Sequence, residues 1–131
     1  MRLAVDANVL LAASLGGRTR SVFFRPDWLF FTTTSVVAEV EEHAPLIAAR
    51  RGLSLTATEE AFRSLPITIV PDAEFENRLK DAMDLISDTD PDDAPLLALA
   101  LTLNIPVWSN DGDFEGTGVE ILTSSTIMQH A

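Results

Sequence analysis

Asp90-Pro91-Asp92-Asp93-Ala94-Pro95-Leu96-Leu97-Ala98-Leu99-Ala100, continued by Ile105-Pro106-Val107-Trp108-Ser109-Asn110-Asp111-Gly112-Asp113-Phe114, is the stretch on which the reading of this chain turns. It reads as one helix followed by one strand. Asp90 suits an N-cap, Pro91 the first helical position, and Asp92 and Asp93 lie where the helix dipole favours negative charge. Leu96, Leu97, Ala98, Leu99, Ala100, Leu101 and Leu103 leave almost no polar face, so this helix is expected to be buried on most sides. Asn104 closes it, and Val107-Trp108 reads as a short interior strand that runs into a second acidic pair, Asp111 and Asp113. Two sets of carboxylates therefore flank one tight αβ unit.

Working outward, residues 2–5 form a short apolar strand ending at Asp6, with a helix over Asn8 to Ala13 broken by Gly16-Gly17. Asp6 has two readings: a cap for that helix, or a site group at the carboxyl end of a strand, where open α/β sheets bind ligands. Trp28 to Phe31 reads as a second strand, and with Phe23 and Phe24 it makes an aromatic patch suited to a core or to self-association. A helix capped within Thr32 to Ser35 runs to about Arg51, and Pro45 is expected to kink or break it. At 100° per residue, Glu39 borders its apolar stripe and Glu42 points away. The spacing from Thr56 to Glu59 predicts a capping box for a helix ending near Leu65. Ile67 to Val70 is a strand, Pro71-Asp72 opens a helix with Phe75, Leu79, Ala82, Met83 and Ile86 on one face, Val119 to Leu122 is a last strand, and Thr123 to Gln129 a terminal helix.

Short strands alternating with helices predict a mainly parallel sheet of about five strands in a three-layer α/β/α sandwich, with one domain over residues 1–131. No cysteine is present, and the two histidines, His43 and His130, do not make a zinc site, so a bound metal would be held by oxygen. No apolar run approaches the ~18 residues of a membrane span, and nothing at the N-terminus has the make-up of a signal peptide, so a cytoplasmic location away from membranes is expected. A net charge of −11 repels phosphate at long range and argues against a simple nucleic-acid-binding module.

Asp6, Glu39, Asp93, Asp111 and Asp113 come from separate elements, yet strand ends and helix starts of one parallel sheet can bring them to one edge. Two carboxylates ~5 Å apart repel by roughly 3 kcal/mol at an effective dielectric of ~20. Four or five together would exceed what a typical domain can spare, so a counter-charge is needed. With no lysine or arginine next to them in sequence, a divalent cation is the simplest one, and oxygen ligands select Mg²⁺ or Mn²⁺. Such a cation activates water and stabilises charge developing on phosphate.

Four motifs resemble the PIN-domain nucleases: Asp6-Ala7-Asn8-Val9-Leu10-Leu11 after the first strand, Glu39 in Ser35-Val36-Val37-Ala38-Glu39-Val40, Asp93 before Ala94-Pro95-Leu96-Leu97, and Asp111 with Asp113 in Ser109-Asn110-Asp111-Gly112-Asp113-Phe114. Their order covers essentially the whole chain. The resemblance implies a five-stranded parallel sheet, RNA cleavage with Mg²⁺ or Mn²⁺, and likeness to VapC-type toxins of toxin–antitoxin pairs, commonly homodimers silenced by an antitoxin protein. It implies Asp6, Glu39, Asp93 and Asp111 as metal ligands, Asp113 as a ligand directly or through water, Ser109 orienting water or a ligand, and Asn8 supporting Asp6. Asp90 and Asp92 read as cap residues instead. Arg18, Arg20, Arg25, Arg50 and Arg51 either guide RNA or balance surface acids.

Two rivals stand beside this reading. A receiver or haloacid-dehalogenase-type phosphotransfer domain shares the size and layer order, but Lys80 is the only lysine and Asp6-Ala7-Asn8 lacks a second aspartate. The other rival is a catalytically silent PIN-like scaffold that keeps its acids.

Overall fold

Every strand of this protein is short, two to five residues, and each is followed by a segment long enough to cross back over the sheet, so parallel pairing follows from the connections. The computed structural model describes residues 1–86 and 90–130. The strands are β1 (Arg2–Val5), β2 (Leu29–Thr33), β3 (Ile67–Val70), β4 (Val107–Trp108) and β5 (Ile121–Leu122). They form one sheet in the order β3-β2-β1-β4-β5, parallel at every pairing. The chain thus builds outward from β1 to β3 on one side, then returns to place β4 on the other flank of β1. Ligand crevices form at such a reversal.

The helices are α1 (Ala7–Ser14), α2 (Gly17–Val22), α3 (Thr34–Arg50), α4 (Leu55–Arg63), α5 (Glu76–Leu85), α6 (Ala94–Leu103) and α7 (Ser124–His130). Right-handed crossovers place those between β1 and β3 on one face and those between β3 and β4 on the other. Accordingly α1 packs against α2, α3 and α4, while α5 packs against α6. This is the expected α/β/α sandwich. The α6 helix is as apolar in place as in sequence: Leu96, Leu97, Ala98, Leu99 and Ala100 are all buried, and Asn104 ends it in the left-handed region at φ 54°. Asparagine tolerates that conformation because its short polar side chain can bond locally.

The aromatic patch is mostly core. Phe23 stacks on Trp108 with ring centroids 5.2 Å apart and meets Phe30 at 4.5 Å, whereas Phe24 stays 55% exposed. Four local expectations are corrected. Pro45 does not break α3, which runs unbroken through it. The helix after Gly52 is capped by Ser54, whose Oγ accepts from the Ala57 N–H at 3.2 Å, and not by Thr56. Met83 is half-exposed instead of belonging to the buried face of α5. The last strand is only Ile121–Leu122, with Val119 and Glu120 outside it. A helix over Gly17–Val22 had no clear signal, because its start carries two glycines with positive φ.

Candidate active site

Val5 of β1 lies beside Trp108 of β4, so the next residues, Asp6 and Ser109, emerge side by side at the carboxyl edge of the sheet. Asp6 is 7% exposed and both of its oxygens accept a hydrogen bond: Oδ1 from the Ala7 N–H at 2.8 Å and Oδ2 from the Ser109 hydroxyl at 2.7 Å. Its two readings are therefore both true, since one oxygen caps α1 and the other is held by the neighbouring strand. The Ser109 oxygen in turn accepts from the Asp111 N–H at 3.0 Å, and Asp111 Oδ1 accepts from the Asp113 N–H at 3.2 Å. One buried hydroxyl thus ties the end of β1 to the acidic turn after β4.

The other carboxylates arrive from helix starts. Thr33 caps α3 by accepting from the Val36 N–H at 3.1 Å, which puts Glu39 in the second turn. Asp90 caps the short 3₁₀ turn Pro91–Asp93 by accepting from the Asp92 N–H at 3.0 Å, and Asp93 leads into α6. Asp6, Asn8, Glu39, Asp93, Asp111 and Asp113 all line one cleft of about 200 Å³. A second hollow of about 270 Å³ adjoins it, sharing Asp6, Glu39 and Asp93 and adding Ser35, Glu42 and Asp92.

Gathering these groups is electrostatically costly, and burial together with their mutual repulsion raises the acids. The Asp93 carboxyl is pushed up to about 8, first by burial, then by the facing Asp113 carboxyl and the charges of Asp6 and Asp90. Asp6 is raised by burial, against the lowering effect of its bonds from Ser109 and Ala7, with Asp111 and Asp113 adding repulsion. Glu39 is raised by burial and by Asp6, partly offset by His43. No lysine or arginine is among the groups that shift these three acids.

Asp93 Oδ2 is buried and has no hydrogen-bond partner among the described residues. Leaving a buried acceptor so typically costs about 1–3 kcal/mol. Carboxylate oxygens, an absence of thiols and an orphaned acceptor fit a hard divalent cation. Among the described residues, no three acidic or histidine side chains already stand in a ligating cluster.

Sequence reasoning missed part of the lining. His43 and Asp90 border the first cleft and Glu42 the second. The signal was present: Glu42 and His43 lie three and four residues after Glu39 on the same helix, where side chains are neighbours. The arginines divide. Arg20 donates to the carbonyls of Ala13 and Ala61 and to the Ser64 hydroxyl, joining α1 to α4. Arg25 lies over the Trp28 ring at 4.4 Å and, with Arg18, borders a separate cavity of about 190 Å³. Arg50 and Arg51 line a groove that shares Asn8 and Leu11 with the acidic cleft.

A parallel sheet with a carboxylate-lined crevice at its switch point, with no lysine or arginine among the described lining residues, marks an α/β protein with a ligand site at the carboxyl edge of its sheet. The family model for the PIN domain matches residues 4–131, and the chain belongs to that family, whose members are nucleases. Among curated proteins no sequence match is found. Among solved structures, the chain resembles VapC20 of Mycobacterium tuberculosis, described as a sarcin–ricin loop cleaving toxin. The two are 19% identical with a TM-score of 0.62, over 89% of this chain and 95% of that one. It also resembles VapBC2 from Rickettsia felis bound to a DNA fragment from its promoter, with 12% identity, a TM-score of 0.70, and 94% and 98% of the two chains covered. A toxin–antitoxin complex from Klebsiella pneumoniae is similar at 17% identity and a TM-score of 0.63, covering 92% and 96%. At these identities the likeness establishes the fold.

Proposed function

We propose that this chain is a divalent-metal-dependent ribonuclease acting as one domain over residues 1–131, in the cytoplasm, and that it serves as the toxin of a toxin–antitoxin pair. The observation that carries the reading is the orphaned Asp93 Oδ2 in a cleft lined by Asp6, Glu39, Asp111 and Asp113. Family membership and the toxin–antitoxin neighbours support it. An antitoxin protein and a homodimer are the partners it implies, and the exposed Phe24 ring is the member of the aromatic patch open to a second copy.

In this reading Asp6, Glu39, Asp93 and Asp111 hold Mg²⁺ or Mn²⁺, with Asp113 as a further or water-mediated ligand. The bound cation would lower the pKa of a water and neutralise charge developing on the scissile phosphate. Ser109 fixes the Asp6 carboxylate by donating to Oδ2, so that an oxygen lone pair faces the cleft in one orientation. Asn8, exposed at the cleft wall, is placed to touch substrate rather than to support Asp6, whose oxygens bond to Ala7 and Ser109.

The test is cleavage of a defined RNA panel with Mn²⁺ or Mg²⁺ by the purified protein and by Asp6→Asn and Asp93→Asn. Loss of about 10²–10³-fold in rate by both, with unchanged circular dichroism, is expected, on the scale of removing an electrostatic stabiliser of the transition state. Equal rates in both variants would remove the mechanism, and a folded wild type that cleaves nothing would favour the silent scaffold.

A further inference from the structure

The acidic cleft attracts a cation but repels the RNA that must enter it, so the substrate has to be gripped elsewhere. Several of the arginines in this protein already have partners. Arg20 is spent on α4, Arg25 is stacked on Trp28, and Arg63 and Arg78 pair with Glu59 and Asp81. Arg50 and Arg51 differ: both are exposed, and neither guanidinium makes a hydrogen bond or ion pair among the described residues.

Their setting is a groove of about 430 Å³ between α1 and α3. One wall is a single stripe of α1, Asn8, Leu11, Ala12 and Leu15, spaced as one helical face. Ile47 forms the opposite apolar wall, with the two arginines at its far end. The stripe spans about 10 Å at 1.5 Å per residue. Asn8 and Leu11 belong at once to this groove and to the acidic cleft, so the two are one continuous surface.

We propose that the α1–α3 groove is the track for the flanking strand of the substrate: single-stranded RNA leaves the acidic cleft past Asn8, lays its bases along Leu15 and Ile47 over the floor formed by Leu11, and places its phosphates against Arg50 and Arg51. This deepens the ribonuclease reading and rests on it. The occupant is chosen by charge, because two unpaired guanidiniums at the end of an apolar trough complement a polyanion with flat apolar bases. Arg18 lies outside this track, in the separate cavity bordered by Ser21 and Met128, and serves as the internal control.

The experiment uses the full chain and a short fluorescein-labelled polyuridine strand, with fluorescence anisotropy in metal-free buffer over a salt series, and cleavage kinetics on the RNA panel in parallel. The Arg50→Ala/Arg51→Ala double variant is expected to bind about tenfold more weakly. Its log Kd against log salt should lose a slope of about 1.4, at 0.7 for each phosphate contact on a single strand. In kinetics it raises KM by a similar factor and leaves kcat within about twofold. Arg50→Lys/Arg51→Lys restores the salt slope, and Arg18→Ala leaves binding unchanged. Unaltered affinity and slope in the double variant would overturn the track and leave the groove to a protein partner. Equal losses in Arg18→Ala would overturn it too, since net charge alone would then explain the binding. Because the anisotropy arm needs no cleavage, the track stands or falls even if the protein hydrolyses nothing; if only the track is wrong, wild-type cleavage persists and the double variant leaves affinity, slope and KM unchanged.

Discussion

The aromatic cluster of Phe23, Phe30 and Trp108 and the carboxylate cleft around Asp6 adjoin at the end of β4, one residue apart where Trp108 gives way to Ser109. They are built on opposite terms. In the cluster every partner is satisfied: the rings stack at 4.5–6.2 Å, Trp108 is wholly buried, and its indole N–H donates to Ser124 Oγ at 3.1 Å. In the cleft, three acids are held above their ordinary pKa and one buried oxygen has no partner. The contrast teaches that β1 and β4 use their interior residues to stabilise the fold and the residues just past their ends to hold an arrangement the fold alone does not favour. Trp108→Ala breaks the first half. Emptying that volume costs about 3–5 kcal/mol, so the melting temperature is expected to drop by 10 °C or more, read by thermal denaturation, with binding of divalent ions lost along with the fold.

The second half is sharpened by pH and metal together. A carboxyl whose pKa is higher folded than unfolded binds its proton more tightly in the native state, so stability falls as pH rises from about 4 and levels off above the folded value. For Asp93 that window runs from 3.8 to about 8. Metal-free protein is therefore expected to melt progressively lower from pH 4 to pH 8, and Mn²⁺ at a hundredfold excess over its Kd is expected to restore about 2.7 kcal/mol, more at pH 8 than at pH 5. Asp93→Asn should flatten the metal-free profile while abolishing the metal effect. A melting temperature indifferent to Mn²⁺ at pH 8 would mean that the acids do not share a cation site.

Much of this was legible beforehand where one physical effect dominated. The burial of α6 followed from seven apolar residues with no polar face, and the Val107–Trp108 strand from its neighbours Pro106 and Asp111. That Asp6, Glu39, Asp93, Asp111 and Asp113 line one cleft also followed, because a parallel sheet sends strand ends and helix starts to one edge. What escaped was local competition. Ser54 rather than Thr56 caps α4, a choice between two hydroxyls two residues apart that spacing alone does not decide. Pro45 sits within α3 because packing of that helix along α1 and β2 offsets one missing hydrogen bond. The division of the arginines could not be read from spacing, since Arg20 reaches across 41 residues to the Ala61 carbonyl.

The smallest expected effect falls on the residue that joins the two regions. Ser109 is fully buried, follows Trp108 directly, donates to Asp6 Oδ2 and accepts from the Asp111 N–H. Removing its hydroxyl in Ser109→Ala deprives a buried carboxylate of a donor, a loss of about 1.5–2 kcal/mol for a hydrogen bond to a charged group. Its sign with pH separates the two regions. The Ser109 bond lowers the Asp6 pKa, so without it the folded value climbs further above the unfolded one, and the penalty grows as pH rises above 4. Were Ser109 merely core packing, continuous with Trp108, the cost would be the same at pH 4 and pH 8. A destabilisation that doubles across that range, measured by urea denaturation at both pH values, would assign it to the cleft.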